Sequence, residues 1–513
     1  MSRPAALRRS SVSAALAALA VAGVPLVADQ PELQAVVSFQ GRPVSAPGVQ
    51  VVSELPGLGM QVVRGDALSL LRLAQTQGVR GLSPDVAVQV TSDEEDGADS
   101  GVVSASAALG GTAGTPGAGS GTRVAVIDTG VSDTPALNRA SGRLVDAVDT
   151  STGTVRTGGR YDDGYGHGTF MANLVAGGVA PGTDGASLGV APGATVLVVR
   201  VAGADGSTSL TRVLAALDWV RGHASGVDVV NLSLSAKRPF RQYGADPLTD
   251  AVENVRDAGV SVVVSAGNKR SELGDPGFDP RVITVGAADL AGDRRRVATF
   301  SGSDVVAGVV KPDVVASGVH VLGVLPAGST LAADPSTVHL GDGLFRGTGT
   351  SQSTAITSGL AAILLAAHPH ATPAQVKASL RCAATDLPGR RDGAGLVGTT
   401  TTLCAGTDGQ ALDGSGDLTG EASFDASSWA ASSWAGPEWV ASSWAASSWA
   451  ASSWAASSWA ASSWAASSWA ASSWAASSWA ASSWAASSWA ASSWAASSWA
   501  ASSWGPADVG VVP

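Results

Sequence analysis

The chain has 513 residues, long enough for two or three domains, and a formal net charge of −11 with only 14% charged residues. That balance excludes nucleic-acid binding through a basic surface and excludes a polybasic membrane contact. Two cysteines, Cys382 and Cys404, lack companions at ligand spacing and make no zinc site; in an exported chain they can close one disulfide loop.

The N-terminus reads as an export signal, assigned to residues 1–28. Arg3, Arg8 and Arg9 form a basic start, and Ser13 to Val27 is an apolar run too short for a comfortable membrane span. Ala20-Val21-Ala22 and Leu26-Val27-Ala28 are alternative cleavage sites. An uncleaved anchor is disfavoured because Gly23 and Pro25 interrupt the run. The protein is therefore expected to be secreted or held at the cell surface.

Residues 29–92 form a small α+β unit. Leu33–Phe39, Val49–Val52, Gly59–Val63, Val79–Leu82 and Val86–Val90 read as strands. Asp66–Gln77 reads as a helix with Leu68, Leu70, Leu71 and Leu73 on its apolar side. Residues 93–121 then turn acidic and afterwards Gly-, Ala- and Ser-rich, which predicts a flexible linker and an accessible processing site.

From 122 to 382 strand and helix patterns alternate. Val124–Ile127, Val196–Val199, Val227–Leu232, Val260–Val264 and Val282–Val285 are β-branched runs, apolar on both faces. Helices are expected at 167–178, 208–222 and 246–258. The fold class is α/β, a mainly parallel sheet with helices on both faces. Phe345–His368 stands out within it. A glycine-rich approach delivers Ser351 to an apolar segment that reads as a buried central helix. Residues 383–425 read as a connector and 505–513 as a terminal tail.

Residues 426–504 are a pentapeptide repeat, ASSWA, with a tryptophan every five residues from Trp429 to Trp504. A period of five fits neither helix nor strand. Three readings stay open: a low-complexity tail, a solenoid with buried tryptophans, and an adhesive tail whose rings stack on sugars or wall polymers. The first is favoured, with surface or wall association as a hypothesis.

Four polar residues sit where an α/β sheet places its chemistry, at or near strand ends. Asp128 ends the first apolar strand, and His167 lies between two glycines at a helix start. Asn268 follows the strand 260–264, and Ser351 opens the central helix. Each alone reads as a cap or a turn residue. Together they supply a nucleophile, a base, an orienting carboxylate and an oxyanion donor.

The chain resembles the subtilisin-like serine proteases, the subtilases. The matching stretches are VAVIDTGV (124–131), GHGTFMANLVAG (166–177), VVNLSLS (229–235), VVSAGN (263–268) and GTSQSTA (349–355). Their order, Asp then His then Ser, is that of subtilisin. The resemblance covers about 123–382. It implies a secreted serine endopeptidase with Asp128, His167 and Ser351 as triad and Asn268 as oxyanion donor. Peptide or protein substrates would lie against Ser233, Leu234 and Ser235. Ser265, Ala266 and Gly267 would form the second wall of the primary pocket. The unit 29–92 resembles the family's propeptides, which implies a self-processed precursor whose own propeptide inhibits it.

Three departures stand out. Gln352-Ser353-Thr354-Ala355 replaces the family's Met-Ala-Thr-Pro, which removes preorganisation but no catalytic atom. Ser235-Ala236 replaces Gly-Gly, so added bulk either narrows the pocket or points away. Phe170 stands where the family has His. No cofactor is expected; no calcium-site pattern is matched, and a structural calcium is left open. Two other classes were weighed. A spent scaffold acting as a surface adhesin through its Trp repeat is disfavoured by the complete triad. A lipase or esterase is disfavoured because no Gly-x-Ser-x-Gly elbow surrounds Ser351.

Overall fold

The structure is a computed structural model that describes residues 32–90, 102–236, 246–270, 272–290, 295–306, 309–388 and 391–406. The export signal, the acidic start of the linker, the connector beyond 406 and the repeat tail lie outside the described residues. Two compact units emerge: 32–53 with 61–84, and 54–60 with the residues from 85 onward.

The first unit is α+β. Its strands are β1 (Leu33–Phe39), β2 (Val49–Leu55) and β3 (Met60–Gly65), followed by α1 (Ala67–Ala74) and β4 (Val79–Pro84). The sheet order is β2-β3-β1-β4, and β1 runs antiparallel to β4. Asp66 caps α1 by accepting from the backbone N–H of Ser69 at 2.9 Å. The helix buries Leu70 and Leu73, while Leu68 and Leu71, also expected on the apolar side, are half-buried.

The second unit begins with β5 (Ala87–Val90) and α2 (Ala105–Leu109). It continues through β6 (Arg123–Asp128), β7 (Leu144–Asp149), α3 (His167–Ala176), β8 (Thr195–Arg200), β9 (Thr208–Ser209) and α4 (Leu210–Gly222). Next come β10 (Val229–Leu232), β11 (Leu234–Ala236), α5 (Pro247–Asp257), β12 (Ser261–Ser265), β13 (Ile283–Asp289) and β14 (Arg296–Val297). β15 (Asp304–Val306), β16 (Val309–Lys311), β17 (Val314–Ser317), β18 (Val321–Val324) and α6 (Thr330–Ala333) follow. The last elements are β19 (Val338–Gly341), β20 (Leu344–Gly347), α7 (Thr350–Ala367) and α8 (Pro373–Cys382).

The central sheet runs β14-β13-β12-β10-β6-β8-β7, with β17 also on β13. All its pairings are parallel except β13 with β14. The β-branched runs explain this, because a parallel sheet buried on both faces needs apolar side chains on both. Val124 and Val126 join the core formed with α3 and α7. Ala125 and Ile127 alternate to the other face, on the side of α4 and α5. α7 is buried from Thr350 to Leu365, as the apolar stretch demanded. The strand order reverses about β6, which opens a crevice beyond the carboxyl ends of β6, β8 and β10.

Two expectations from sequence are corrected. Val86–Val90 was assigned to the small unit, but β5 joins a three-stranded sheet, β11-β5-β9, in the second unit. An apolar strand pattern does not say which edge will pair with it. The linker 93–121 was expected to be loose throughout, yet 102–121 is built into the second unit. Val103 bridges to Val321, Ala105 is buried, and the Ser106 hydroxyl donates to the Ser187 carbonyl at 2.6 Å. Gly119 lies so close to Ala191 that a Cβ there would meet the alanine Cβ at 2.8 Å. Small residues here permit close packing rather than disorder. Cys382 and Cys404 form the disulfide, which ties the end of α8 to the chain that follows.

Candidate active site

Asp128 is the last residue of β6 and is fully buried. One carboxylate oxygen accepts the backbone N–H of Thr129 at 2.8 Å. His167 opens α3, preceded by Gly166 at φ 116°, a backbone conformation open to glycine and strained for other residues. Its Nδ1 faces both oxygens of Asp128, at 2.8 and 2.9 Å. A buried carboxylate is costly unless paired, and the imidazole is its partner. The contact fixes the ring so that Nε2 is the remaining basic atom, and Nε2 has no hydrogen-bond partner among the described residues.

Ser351 is the second residue of α7, while Gly349 holds the capping position. The hydroxyl is therefore not needed for the cap, the alternative that composition suggested. Its Oγ lies 3.3 Å from the Ser233 carbonyl oxygen, and the Ser233 hydroxyl donates to the Ser351 carbonyl at 3.3 Å. The bend between β10 and β11 is thus tied to the first turn of α7.

Asn268 follows β12 in a short loop. Its Oδ1 accepts both the backbone N–H and the hydroxyl of Thr350, each at 2.9 Å. That leaves the buried Nδ2 as a donor with no partner among the described residues. The four residues read from sequence, Asp128, His167, Asn268 and Ser351, come from four separate elements or loops of the second unit. Thr350 was missed, although its place directly before the serine was the available signal.

The expected substrate residues lie on two walls. Ser233, Leu234 and Ser235 occupy the bend and β11. Ser265 ends β12, and its hydroxyl lies 3.5 Å from the Leu234 carbonyl; Ala266 and Gly267 follow it. A side chain on Gly274 would meet the Ser235 Cβ at 2.5 Å. The side chain of Ser235 therefore faces the Gly274 backbone. Phe170 is buried with its ring over Gly323 and Gly347, packing α3 against β18 and β20.

Asp163, four residues before His167, is nearly fully buried and gathers five donors. One oxygen accepts from the Thr129 hydroxyl (2.8 Å), Tyr165 N–H (3.0 Å) and Gly166 N–H (2.7 Å). The other accepts from the N–H and the hydroxyl of Thr169, both at 2.8 Å. No group of three or more His, Cys, Asp or Glu is placed to hold a metal ion among the described residues.

The subtilase family model matches residues 119–399. Serine protease AprX of Bacillus subtilis is 33% identical over 277 residues, 51% of this chain and 61% of AprX. Subtilisin Savinase of Lederbergia lenta is 33% identical over 281 residues, 54% of this chain and 89% of that protein. The fold is similar to that of fervidolysin from Fervidobacterium pennivorans, described as a keratinolytic enzyme related to subtilisin. The TM-score is 0.55 at 23% identity, covering 72% of this chain and 61% of fervidolysin. With the family model spanning more than half of its residues, the chain belongs to the subtilase family.

Proposed function

We propose that this chain is an exported serine endopeptidase that cleaves peptide bonds through an acyl-enzyme and is made as a self-processed precursor. The observation that carries this reading is the Asp128–His167 pair, together with an Asn268 amide held by Thr350, the residue before Ser351. Ser351 Oγ attacks a peptide carbonyl carbon and His167 Nε2 takes its proton. Asp128 keeps the ring in the required tautomer and stabilises the imidazolium. Asn268 Nδ2 and the Ser351 N–H stabilise the oxyanion. His167 then protonates the departing amine, and water repeats the sequence to release the acyl group.

Support for a peptide substrate, and for self-processing, comes from β5. It lies antiparallel on β11, with Val90 opposite Leu234, Gln89 opposite Ser235 and Val88 opposite Ala236. An extended segment of the chain's own N-terminal region thus occupies the edge expected to receive substrate. Ser233, the residue just before β11, has its carbonyl 3.3 Å from Ser351 Oγ. After Val90 the chain enters the linker 93–121, where self-cleavage is proposed. The released N-terminal region is proposed as the enzyme's inhibitor. The Trp repeat is proposed to hold the protein at a surface, and an unchanged split between cells and medium after deleting 426–504 would sink that idea.

The test is intact mass and terminal sequencing of the wild type beside Ser351→Ala. The wild type should begin within 93–121 and release an N-terminal fragment, while the variant stays uncut. Persistent processing of pure Ser351→Ala protein would refute the catalytic assignment. A wild type that hydrolyses casein but is not cut within 93–121 would refute the processing site alone.

A further inference from the structure

Asp163 has no assigned part in the reaction just described, yet it is the most heavily hydrogen-bonded carboxylate near it. Capping explains part of this, since its oxygens accept the N–H groups of Gly166 and Thr169 around the start of α3. Capping does not explain the Thr129 hydroxyl, which comes from the loop after β6. Thr129 is the residue next to Asp128, and its N–H donates to the Asp128 carboxylate. Thr129 Oγ1 also accepts the N–H of Gly168, the residue next to His167, at 2.9 Å. One chain of contacts thus runs from the neighbour of Asp128, through Asp163, to both sides of His167.

We propose that Asp163 is a positioning residue for the reaction: it locks the loop carrying Asp128 to the helix start carrying His167, and so sets the geometry of that pair. The inference rests on the endopeptidase reading above. The chemistry requires a full carboxylate. All five partners are donors, and an ionised carboxylate is acceptor-only with room for each of them. An asparagine of the same shape turns an NH2 toward at least two of those donors and forfeits their bonds. Burial raises the Asp163 carboxyl above its ordinary range, against the donors that pull it down. Removing donors would therefore leave a costly buried group rather than a neutral gap.

The experiment compares wild type, Asp163→Asn, Thr129→Val and Thr129→Ser on a peptide substrate, with kcat, KM and the pH profile of kcat/KM for each. Asp163→Asn should lower kcat at least 100-fold with KM changed less than threefold. The acidic limb of its profile should move down by half a pH unit or more, because a loosened Asp128 stabilises the imidazolium less. Thr129→Val cuts the link and frees the Gly168 N–H but leaves the Asp163 bonds to Gly166 and Thr169 in place; it should lower kcat at least tenfold, and Thr129→Ser, which keeps the hydroxyl, should restore it. If Asp163→Asn does not fold, the Thr129 pair decides alone. Folded variants with wild-type kcat and an unmoved acidic limb would overturn the proposal. Absence of turnover in the wild type would instead sink the endopeptidase reading. In that event the low-field Nδ1–H proton signal of His167 decides: its loss in Asp163→Asn supports the lock, and its persistence unchanged overturns it.

Discussion

The side-chain carbonyl of Asn268 is held by Thr350 through two hydrogen bonds of 2.9 Å, one from the backbone and one from the hydroxyl. The residue before Ser351 therefore decides which way the amide faces, and the buried NH2 has no partner among the described residues. An amide that could flip would present its oxygen to a developing oxyanion and repel it.

Asn268→Ala should lower kcat by about 10²–10³-fold with little change in KM, the cost of losing one oxyanion donor. Thr350→Val should give a smaller loss, about tenfold, by removing the hydroxyl bond and leaving the backbone one. Steady-state kinetics on a peptide substrate separates the two. Equal effects would mean that Thr350 does more than orient the amide.

Val88 is almost fully buried where β5 lies between β11 and β9. Val88→Asp would place a charge there without a partner, at a cost of several kcal/mol. Self-cleavage should slow at least tenfold in the whole precursor, read as the rate at which the N-terminal fragment appears. A peptide carrying the sequence 85–96 should show the same sensitivity in trans. Cleavage indifferent to the aspartate in both formats would dissociate β5 from the substrate register.

Asp313 lies at the centre of a buried charge network. Its oxygens meet Lys311 Nζ at 2.8 Å, Lys377 Nζ at 2.9 Å and Arg381 at 3.1 Å. Burial raises this carboxyl, but Lys311 and Lys377 overcome it and hold it at about 2. A depressed carboxyl contributes stability that is present above the unfolded value near 3.8 and is lost as pH falls toward 2, here ~2 kcal/mol. Asp313→Asn leaves Lys311 fully buried without its counter-charge, a loss of about 3–5 kcal/mol at pH 6. Urea unfolding on a Ser351→Ala background, which prevents autolysis, should show the gap closing as pH drops from 5 to 2. A gap that stays constant over that range would contradict the assignment.

Asp279 behaves in the opposite sense. It is fully buried; Oδ1 accepts the Arg281 N–H at 2.7 Å, and Oδ2 has no partner among the described residues. Burial and the charge of Glu253 push its carboxyl up to about 7. A raised carboxyl contributes stability below its unfolded value, and that contribution is lost as pH rises through about 7. Asp279→Asn keeps the acceptor for Arg281 and removes the ionisation. On the same inactive background, melting temperatures from pH 5 to 9 should fall less for the variant than for its parent. Parallel profiles would rule this out.

Much of the second unit was legible because its signals are local. The run Val124–Ile127 ending in Asp128 needs no partner to be recognised as a buried strand with a polar terminus, and β6 begins and ends within one residue of it. Asp128, His167, Asn268 and Ser351 stand out in the sequence for the same reason. What escaped depends on pairing across the fold. Val86–Val90 has the same pattern whichever edge it joins, and only the three-dimensional register puts it on β11. Residues 102–121 looked loose because small residues are common to linkers and to tightly packed turns. Thr350 and Asp163 look like ordinary helix-start residues; their importance comes from contacts with Asn268 and Thr129, 82 and 34 positions away.

The disulfide between Cys382 and Cys404 has a mechanical consequence. Tension on the chain beyond Cys404 is transmitted across the sulfur bridge to the end of α8. The loop it spans carries Val397, whose N–H bonds to the Val315 carbonyl at 2.8 Å, and Leu387 and Leu396, which pack with Val315. While the bridge is intact, a pull on the following segment cannot unspool that loop from the edge of the sheet. Reduction would change the load path: the same pull would peel the loop strand by strand, starting from its far end.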